Sequence, residues 1–273
     1  MDFERGTQLK GYIQREVREH PMHSNYGYTY YFTRFFLERL FNIAPEKFIL
    51  KGSNAQFVNL KKLVRPITDI DLATQYSMES VNNIILELML KNSNTKFSIK
   101  QRFVTTNATI NYRIMCQLDN IQHLVTLDLR KESQLESTQQ KIPILFSKDR
   151  EFNVNTISIE EHLANKIYIT ILNIYLNQKL GKEFRRFKDF YDIYKILSIK
   201  AIDEAKVAHL VNQKIEQDDF LRTYQIRGNL FNNQFVKENM EKWNVDKKEY
   251  EFDQNVSFEQ TVDATNTIVS KIK

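Results

Sequence analysis

Apolar positions early in the chain recur at helical spacing and then change to strand-like alternation. The spacing predicts helices from Thr7 to Glu19 and from Tyr26 to Leu40, the second through Phe32, Phe35, Phe36, Leu37 and Leu40. His20-Pro21-Met22 breaks the pattern between them. Lys47 to Leu50 is a short apolar run typical of a buried strand, and Gly52-Ser53 ends it. Asn54 to Leu63 reads as a helix that Arg65-Pro66 breaks, and Thr68 to Leu72 alternates as a strand. Glu79 to Lys91 is an amphipathic helix. Three strands follow, Lys96 to Val104, Ala108 to Leu118 and His123 to Leu129, with a turn at Asp119-Asn120.

The second half changes character. Ser158-Ile159-Glu160-Glu161 matches a capping box and predicts a helix to about Asn177. A further helix starts near Phe184, and Ala201 to Ile215, Asp219 to Gln225 and Phe258 to Ile272 also read as helical. The expected fold class is therefore α+β. A mixed-sheet domain over residues 1–150 precedes a helical bundle domain over 151–273.

Composition narrows the function classes. The 273 residues hold 42% hydrophobic and 27% charged side chains, which favours a globular fold over disorder. Gly and Pro are scarce, at 6 and 4, which disfavours turn-dense all-β folds. A single cysteine excludes a disulfide framework and any cysteine-based zinc module. The net charge of +5 permits a polyanionic partner without demonstrating one. The first residues show no basic-then-apolar leader, and no uncharged apolar run is long enough for a membrane span. A cytoplasmic protein with no membrane partner is expected.

The chemistry concentrates between Phe48 and Leu72. A strand running through Gly52-Ser53 straight into a helix offers backbone N–H groups and a partial positive charge, hence a phosphate seat. The same junction is also an ordinary tight turn with an N-cap. Asp69 and Asp71 are two apart in a strand, so both carboxylates share one face while Ile70 and Leu72 point to a core. Two adjacent like charges are costly to bury without a cation, and Mg²⁺ takes such oxygen ligands together with substrate phosphates. A solvated strand face is the ordinary alternative. Alternation in His123 to Leu129 gives Asp128 the same kind of placement. If its strand lies beside the Asp69–Asp71 strand, a triad results.

The run Phe48-Ile49-Leu50-Lys51-Gly52-Ser53-Asn54-Ala55, followed by Arg65-Pro66-Ile67-Thr68-Asp69-Ile70-Asp71-Leu72, resembles the opening motifs of DNA polymerase β-type nucleotidyltransferases. Within that superfamily the chain most resembles the AbiEii abortive-infection toxins. Glu160 to Lys166 and Arg185 to Tyr194 are similar to that family's later helical pair.

The resemblance implies a Mg²⁺-dependent transfer of a nucleotidyl group from an NTP, with GTP or CTP as candidates, to an acceptor such as the tRNA 3′ end. Gly52, Ser53, Arg65 and Lys166 would bind the nucleotide, and Asp69, Asp71 and Asp128 the metal. Asp69, Asp71, Lys166 and Asp189 would be catalytic, with Asp192 as the alternative carboxylate in the second half. The partner would be an AbiEi-type antitoxin that also regulates transcription. The basic cluster Lys179, Lys182, Arg185, Arg186 and Lys188 would contact RNA, against an ordinary solvated helix face. Two other readings stay open: transfer to a protein or small molecule, and a non-catalytic nucleotide-binding module. The five histidines show no metal-ligand spacing, a packed helix position suits His162, and Cys116 reads as a buried inert thiol.

Overall fold

A computed structural model describes residues 3–19, 23–91, 93–106, 108–133, 135–143, 150–222 and 230–272. The expected break at residues 20–22 lies outside them. The chain forms two compact units, one of residues 1–59 and 66–157, the other of residues 60–65 and 158–273.

The first unit is a seven-stranded mixed sheet with helices. Its elements in chain order begin with α1 (Gly6–Glu19), α2 (Ser24–Ile43) and a 3₁₀ turn over Pro45–Lys47. Next come β1 (Ile49–Leu50), α3 (Gly52–Leu60), β2 (Asp69–Thr74) and α4 (Met78–Leu90). The strands β3 (Thr95–Thr106), β4 (Thr109–Leu118), β5 (Ile121–Lys131), β6 (Ser137–Pro143) and β7 (Glu151–Ile157) complete it. Strand order is β3-β4-β5-β2-β1-β7-β6. β2 runs parallel to β5 and β1 parallel to β7, and the other pairs are antiparallel.

Alternation assigns the two faces of this sheet. Ile70 and Leu72 of β2, Leu127 and Leu129 of β5, and Ile110, Tyr112 and Ile114 of β4 join one core with Phe32, Phe36 and Leu40 of α2 and Ile85 and Leu88 of α4. The opposite face carries Asp69, Asp71 and Asp128, all half-buried. A smaller cluster of Ile49, Ala55, Ala73, Leu135 and Ile157 sits apart from the main core. Its Ile49–Ala73 register pair falls on the aspartate face, because Ala73 is two residues beyond Asp71.

The division expected at residue 150 moves to Ser158. β7 lies beyond 150, yet it pairs with both β1 and β6 and so belongs to the sheet. Neither β6 nor β7 was expected. β6 is mostly polar and exposed, as an edge strand can be, and β7 alternates Phe152, Val154 and Thr156 inward.

The helical unit holds α5 (Ile159–Leu180), α6 (Phe187–Ile199), α7 (Glu204–Glu216), α8 (Asn233–Glu249) and α9 (Phe258–Val269). Ser158 caps α5 by accepting from the Glu161 N–H, while the Glu161 carboxylate accepts from Asn165 and pairs with Lys214 of α7. Gly181 ends α5 at φ 62°, the left-handed geometry that glycine adopts without strain. Asp203, Asn232 and Ser257 cap α7, α8 and α9 in turn.

Sequence spacing missed α8, which carries only a narrow stripe of Phe235, Val236, Asn239 and Trp243 on a charged helix. The helix expected from Asp219 to Gln225 is a turn over residues 219–222, and its remainder lies outside the described residues. Asp218 makes that turn by accepting from the Phe220 and Leu221 N–H groups.

The core of this unit is aromatic. Phe190 is fully buried, with ring centroids 4.9 Å from Phe231, 5.8 Å from Phe235 and 5.7 Å from Phe258. Trp243, the single tryptophan, stacks on Phe258 at 5.0 Å. Phe190→Ala is expected to destabilise the helical unit by about 3–5 kcal/mol. Chemical denaturation followed by Trp243 fluorescence measures it, and a loss below about 1 kcal/mol contradicts the packing described.

Candidate active site

In the sheet unit the site grows from the junction of β1 and α3. The Lys51 N–H donates to the Asp71 carbonyl at 2.9 Å, which extends the β1–β2 ladder by one step and sets the next residue beside the Asp71 side chain. That residue is Gly52, at φ +60°. A Cβ on Gly52 would stand 1.7 Å from Asp71 Oδ2 and 2.6 Å from its Cγ. Only glycine satisfies both the dihedral and the approach. The Asp71 carboxylate therefore lies against the first turn of a helix, where N–H groups lack intrahelical partners and the dipole favours anions.

The Asn54 side chain holds α3 to β2 by donating to the Asp69 carbonyl at 2.9 Å. Ser53 Oγ, Asn54 Oδ1 and both polar atoms of the Gln56 amide are buried with no hydrogen-bond partner among the described residues. Buried polar atoms without partners are uncommon in native folds and call for an explanation. All three residues sit in the first turns of one helix, beside two carboxylates. A ligand with acceptor oxygens would supply the Ser53 hydroxyl with what it lacks.

The parallel register places Asp71 opposite Asp128 and Asp69 opposite Thr126. Asn111 of β4 is the ladder partner of Asp128 and donates its amide to Asp128 Oδ1. The Thr105 hydroxyl donates to Asn111 Oδ1 at 2.9 Å and fixes which way that amide faces. Among the described residues, no three His, Cys, Asp or Glu side chains are gathered as a group that could hold a metal by themselves. Mg²⁺ ordinarily binds through one or two carboxylates plus substrate phosphates and water. Asp69 and Asp71, beside a helix N-terminus with an unpartnered hydroxyl, fit a phosphate-bound ion of that kind.

Arg65, Lys166, Asp189 and Asp192 come together within the helical unit. Asp192 is fully buried and receives a bidentate grip from Arg65, Nε to Oδ1 and Nη2 to Oδ2, each at 2.9 Å. Lys166 Nζ donates to Asp192 Oδ2 at 2.7 Å and to Asp189 Oδ1 at 3.0 Å. Arg186 Nε pairs with Asp189 Oδ2 at 2.8 Å. Burial opposes charge on Asp192, but Arg65 and Lys166 outweigh it and hold the carboxyl well below the ordinary range. Burial likewise opposes charge on Lys166, and Asp192 and Asp189 reverse the balance and keep it ammonium.

His162, one turn before Lys166, is 2% exposed, and burial followed by the Lys166 charge lowers its pKa to about 3. It packs as a neutral ring. Cys116 is buried and its thiol is pushed up by that burial, in keeping with an inert side chain.

In the basic cluster, Arg185 pairs with Glu183 at 2.6 Å and Lys188 lies over the Tyr250 ring at 5.6 Å. Lys179 and Lys182 are exposed. Residue spacing did not single out Asn54, Asn111 or the Arg65–Asp192 pair. The signal for Asn111 was its alternation with Ile110, Tyr112 and Ile114. The link from Arg65 to Asp192 crosses more than a hundred residues and leaves no local trace.

The family described as "Nucleotidyl transferase AbiEii toxin, Type IV TA system" matches residues 36–264. Among solved structures, the nucleotidyltransferase toxin MenT4 from Mycobacterium tuberculosis H37Rv is similar with a TM-score of 0.60 at 14% identity, over 96% of this chain and 87% of that one. JHP933 from Helicobacter pylori has a TM-score of 0.47 at 13% identity, over 86% of each chain. No curated protein sequence is detectably similar. The mixed α/β fold is that of nucleotidyltransferase toxins.

Gly52→Ala is expected to cost more than about 1 kcal/mol in the sheet unit, from the positive φ and the displaced Asp71. Denaturation followed by circular dichroism measures it, and an unchanged midpoint contradicts the close approach. His162 gives a second expectation. Its pKa is lower folded than unfolded, so the unfolded chain binds the extra proton between about pH 6.5 and 3. Stability falls on acidification through that window, by about 1.4 kcal/mol per pH unit. Trp243-monitored denaturation at pH 7 and pH 5 shows the loss in the native chain, and His162→Leu flattens it. An identical slope in both contradicts the neutral buried ring.

Proposed function

Because the chain belongs to the AbiEii family of type IV toxin–antitoxin nucleotidyltransferases, we propose that it transfers a nucleotidyl group from an NTP to a tRNA 3′ end, using Mg²⁺. The observation that carries this reading is the Asp71 carboxylate held against the Gly52 backbone, with Asp69 on the same face. In the transfer, an acceptor hydroxyl oxygen forms a bond to the α-phosphorus. The bond from that phosphorus to the pyrophosphate oxygen breaks, and the hydroxyl proton is lost to a base. Such a reaction needs charge neutralisation and in-line positioning more than covalent help.

Gly52 and Ser53 receive the triphosphate on the N–H groups that open α3, and the Ser53 hydroxyl donates to a phosphate oxygen. Asp69 and Asp71 are the metal-holding carboxylates; Asp128, expected as a third ligand, is bonded by Asn111 and is not gathered with them into a three-carboxylate metal group among the described residues. Bound there, Mg²⁺ would neutralise the phosphate charge and polarise the reacting phosphoryl group.

Lys166 and Asp189, both buried in the helical unit, are the nucleotide-binding lysine and the catalytic carboxylate that the family resemblance implies. Asp192, gripped by Arg65, positions Lys166, so Arg65 acts through Asp192 in this reading. Arg185 and Arg186 contact RNA backbone through planar guanidinium forks, and Lys188 as a point charge. GTP and CTP are the candidate donors. The family also carries the expectation of an AbiEi-type antitoxin that regulates transcription. An enzyme using NTP and tRNA would work in the cytoplasm, and none of the described helices is long and apolar enough to cross a membrane.

The test is labelling of total RNA by the purified chain with radiolabelled NTPs and Mg²⁺. Label is expected in tRNA, and Asp71→Asn is expected to reduce it by about a hundredfold or more. Label in protein or in a small molecule replaces the acceptor. Equal labelling by native chain and Asp71→Asn removes the site.

A further inference from the structure

β3 begins with Phe97 and Ile99 on the core side of the sheet, where they pair with Cys116 and Ile114. The ladder then slips. β3 advances from Ile99 to Gln101 while β4 advances only from Ile114 to Arg113. One extra residue in β3 is a bulge, and a bulge re-aims the side chains that follow it. Phe103 would otherwise continue the Phe97–Ile99 series into the core. After the slip it pairs with Asn111 and turns to the opposite face, 52% exposed.

That face is the one that carries the aspartates. Register partners run in one row from Phe103 to Asn111, Asp128 and Asp71 across four neighbouring strands. At about 4.8 Å per strand, the ring lies about 10 Å from Asp128 and about 15 Å from Asp71. This distance suits a group next to the reacting hydroxyl and not the triphosphate.

Charge says what kind of group. Arg113 is two residues beyond Asn111 in β4, and Arg130 two beyond Asp128 in β5, so both belong to the Phe103 face. Both are exposed. A single exposed aromatic is ordinary on a protein surface. An aromatic turned out of a core by a bulge, aligned with two carboxylates and set between guanidinium groups, matches the chemistry of a strand of bases and phosphates.

We propose that Phe103 is a stacking platform for a base of a single-stranded nucleic-acid acceptor, with Arg113 and Arg130 contacting its phosphates. The assignment rests on the reading of Asp69 and Asp71 as the nucleotidyl-transfer site. It adds a residue that places the acceptor already proposed. Stacking accepts any base, so the platform provides affinity and placement while sequence preference arises elsewhere.

The experiment is fluorescence anisotropy with a labelled, mixed-sequence single-stranded RNA of about twelve nucleotides, alongside calorimetry with Mg²⁺-GTP and Mg²⁺-CTP. Phe103→Ala is expected to weaken RNA binding about tenfold or more without changing NTP affinity. Phe103→Trp is expected to restore it. Arg113→Ala should lower the salt dependence of RNA binding by about one unit of slope.

Equal RNA binding by the native chain and Phe103→Ala overturns the platform. So does a loss that neither Phe103→Trp nor Phe103→Tyr restores, or label found only in protein. If the chain transfers no nucleotide yet Phe103-dependent RNA binding persists, the transfer reading fails and the platform stands.

Discussion

The close approach of the Asp71 carboxylate to the backbone of Gly52 is the constraint around which the sheet unit is organised. It needs a glycine at positive φ, a strand that ends two residues earlier, and a ladder step from Lys51 to Asp71. It also needs the alternation that sends Ile70 and Leu72 into the core while Asp69 and Asp71 face the other way. Each requirement is short-range in sequence, and together they set two carboxylates beside the first turn of a helix. Carboxylates repel a triphosphate and a helix N-terminus attracts one, so in the proposed site a divalent cation would reconcile the two.

The helical unit solves a different problem. Arg65, Lys166 and Arg186 hold Asp189 and Asp192 ionised in a buried setting where desolvation alone would favour protonation. Removing any one partner leaves an uncompensated charge, so the set stands or falls together, at a cost of about 3–5 kcal/mol when broken. The network also draws residues 60–65 into this unit, since Arg65 bonds Asp192 and the Val64 carbonyl accepts from Tyr191. The charges proposed for function are also folding charges. A loss of activity at Lys166 therefore means little until stability is measured beside it.

Much of this was legible in the chain because its signals are periodic or punctuated. The Asp-Ile-Asp alternation, the Gly-Ser junction and the cap at Ser158 each identify an element and a face from fewer than a dozen residues. What was not legible depends on pairing over distance. β6 is a polar edge strand whose identity rests on β7, and α8 shows only four buried positions on a charged helix. The grip of Arg65 on Asp192 and that of Asn111 on Asp128 are tertiary. The bulge that turns Phe103 outward is invisible to alternation, which by itself would have left that ring in the core. Asp69, Asp71, Lys166 and Asp189 were singled out by motif order, whereas their partners emerged only from the fold.

The central claim is that Asp69 and Asp71, set against the Gly52–Ser53 backbone, hold a metal-bound triphosphate. A crystal structure of the chain with Mn²⁺ and a non-hydrolysable NTP tests it most directly, because manganese is located by its anomalous scattering. A manganese peak in contact with both carboxylates is expected, with β- and γ-phosphate oxygens within hydrogen-bond reach of the Ser53 hydroxyl and the first N–H groups of α3. A triphosphate bound elsewhere, or a manganese peak that touches neither aspartate, would contradict it.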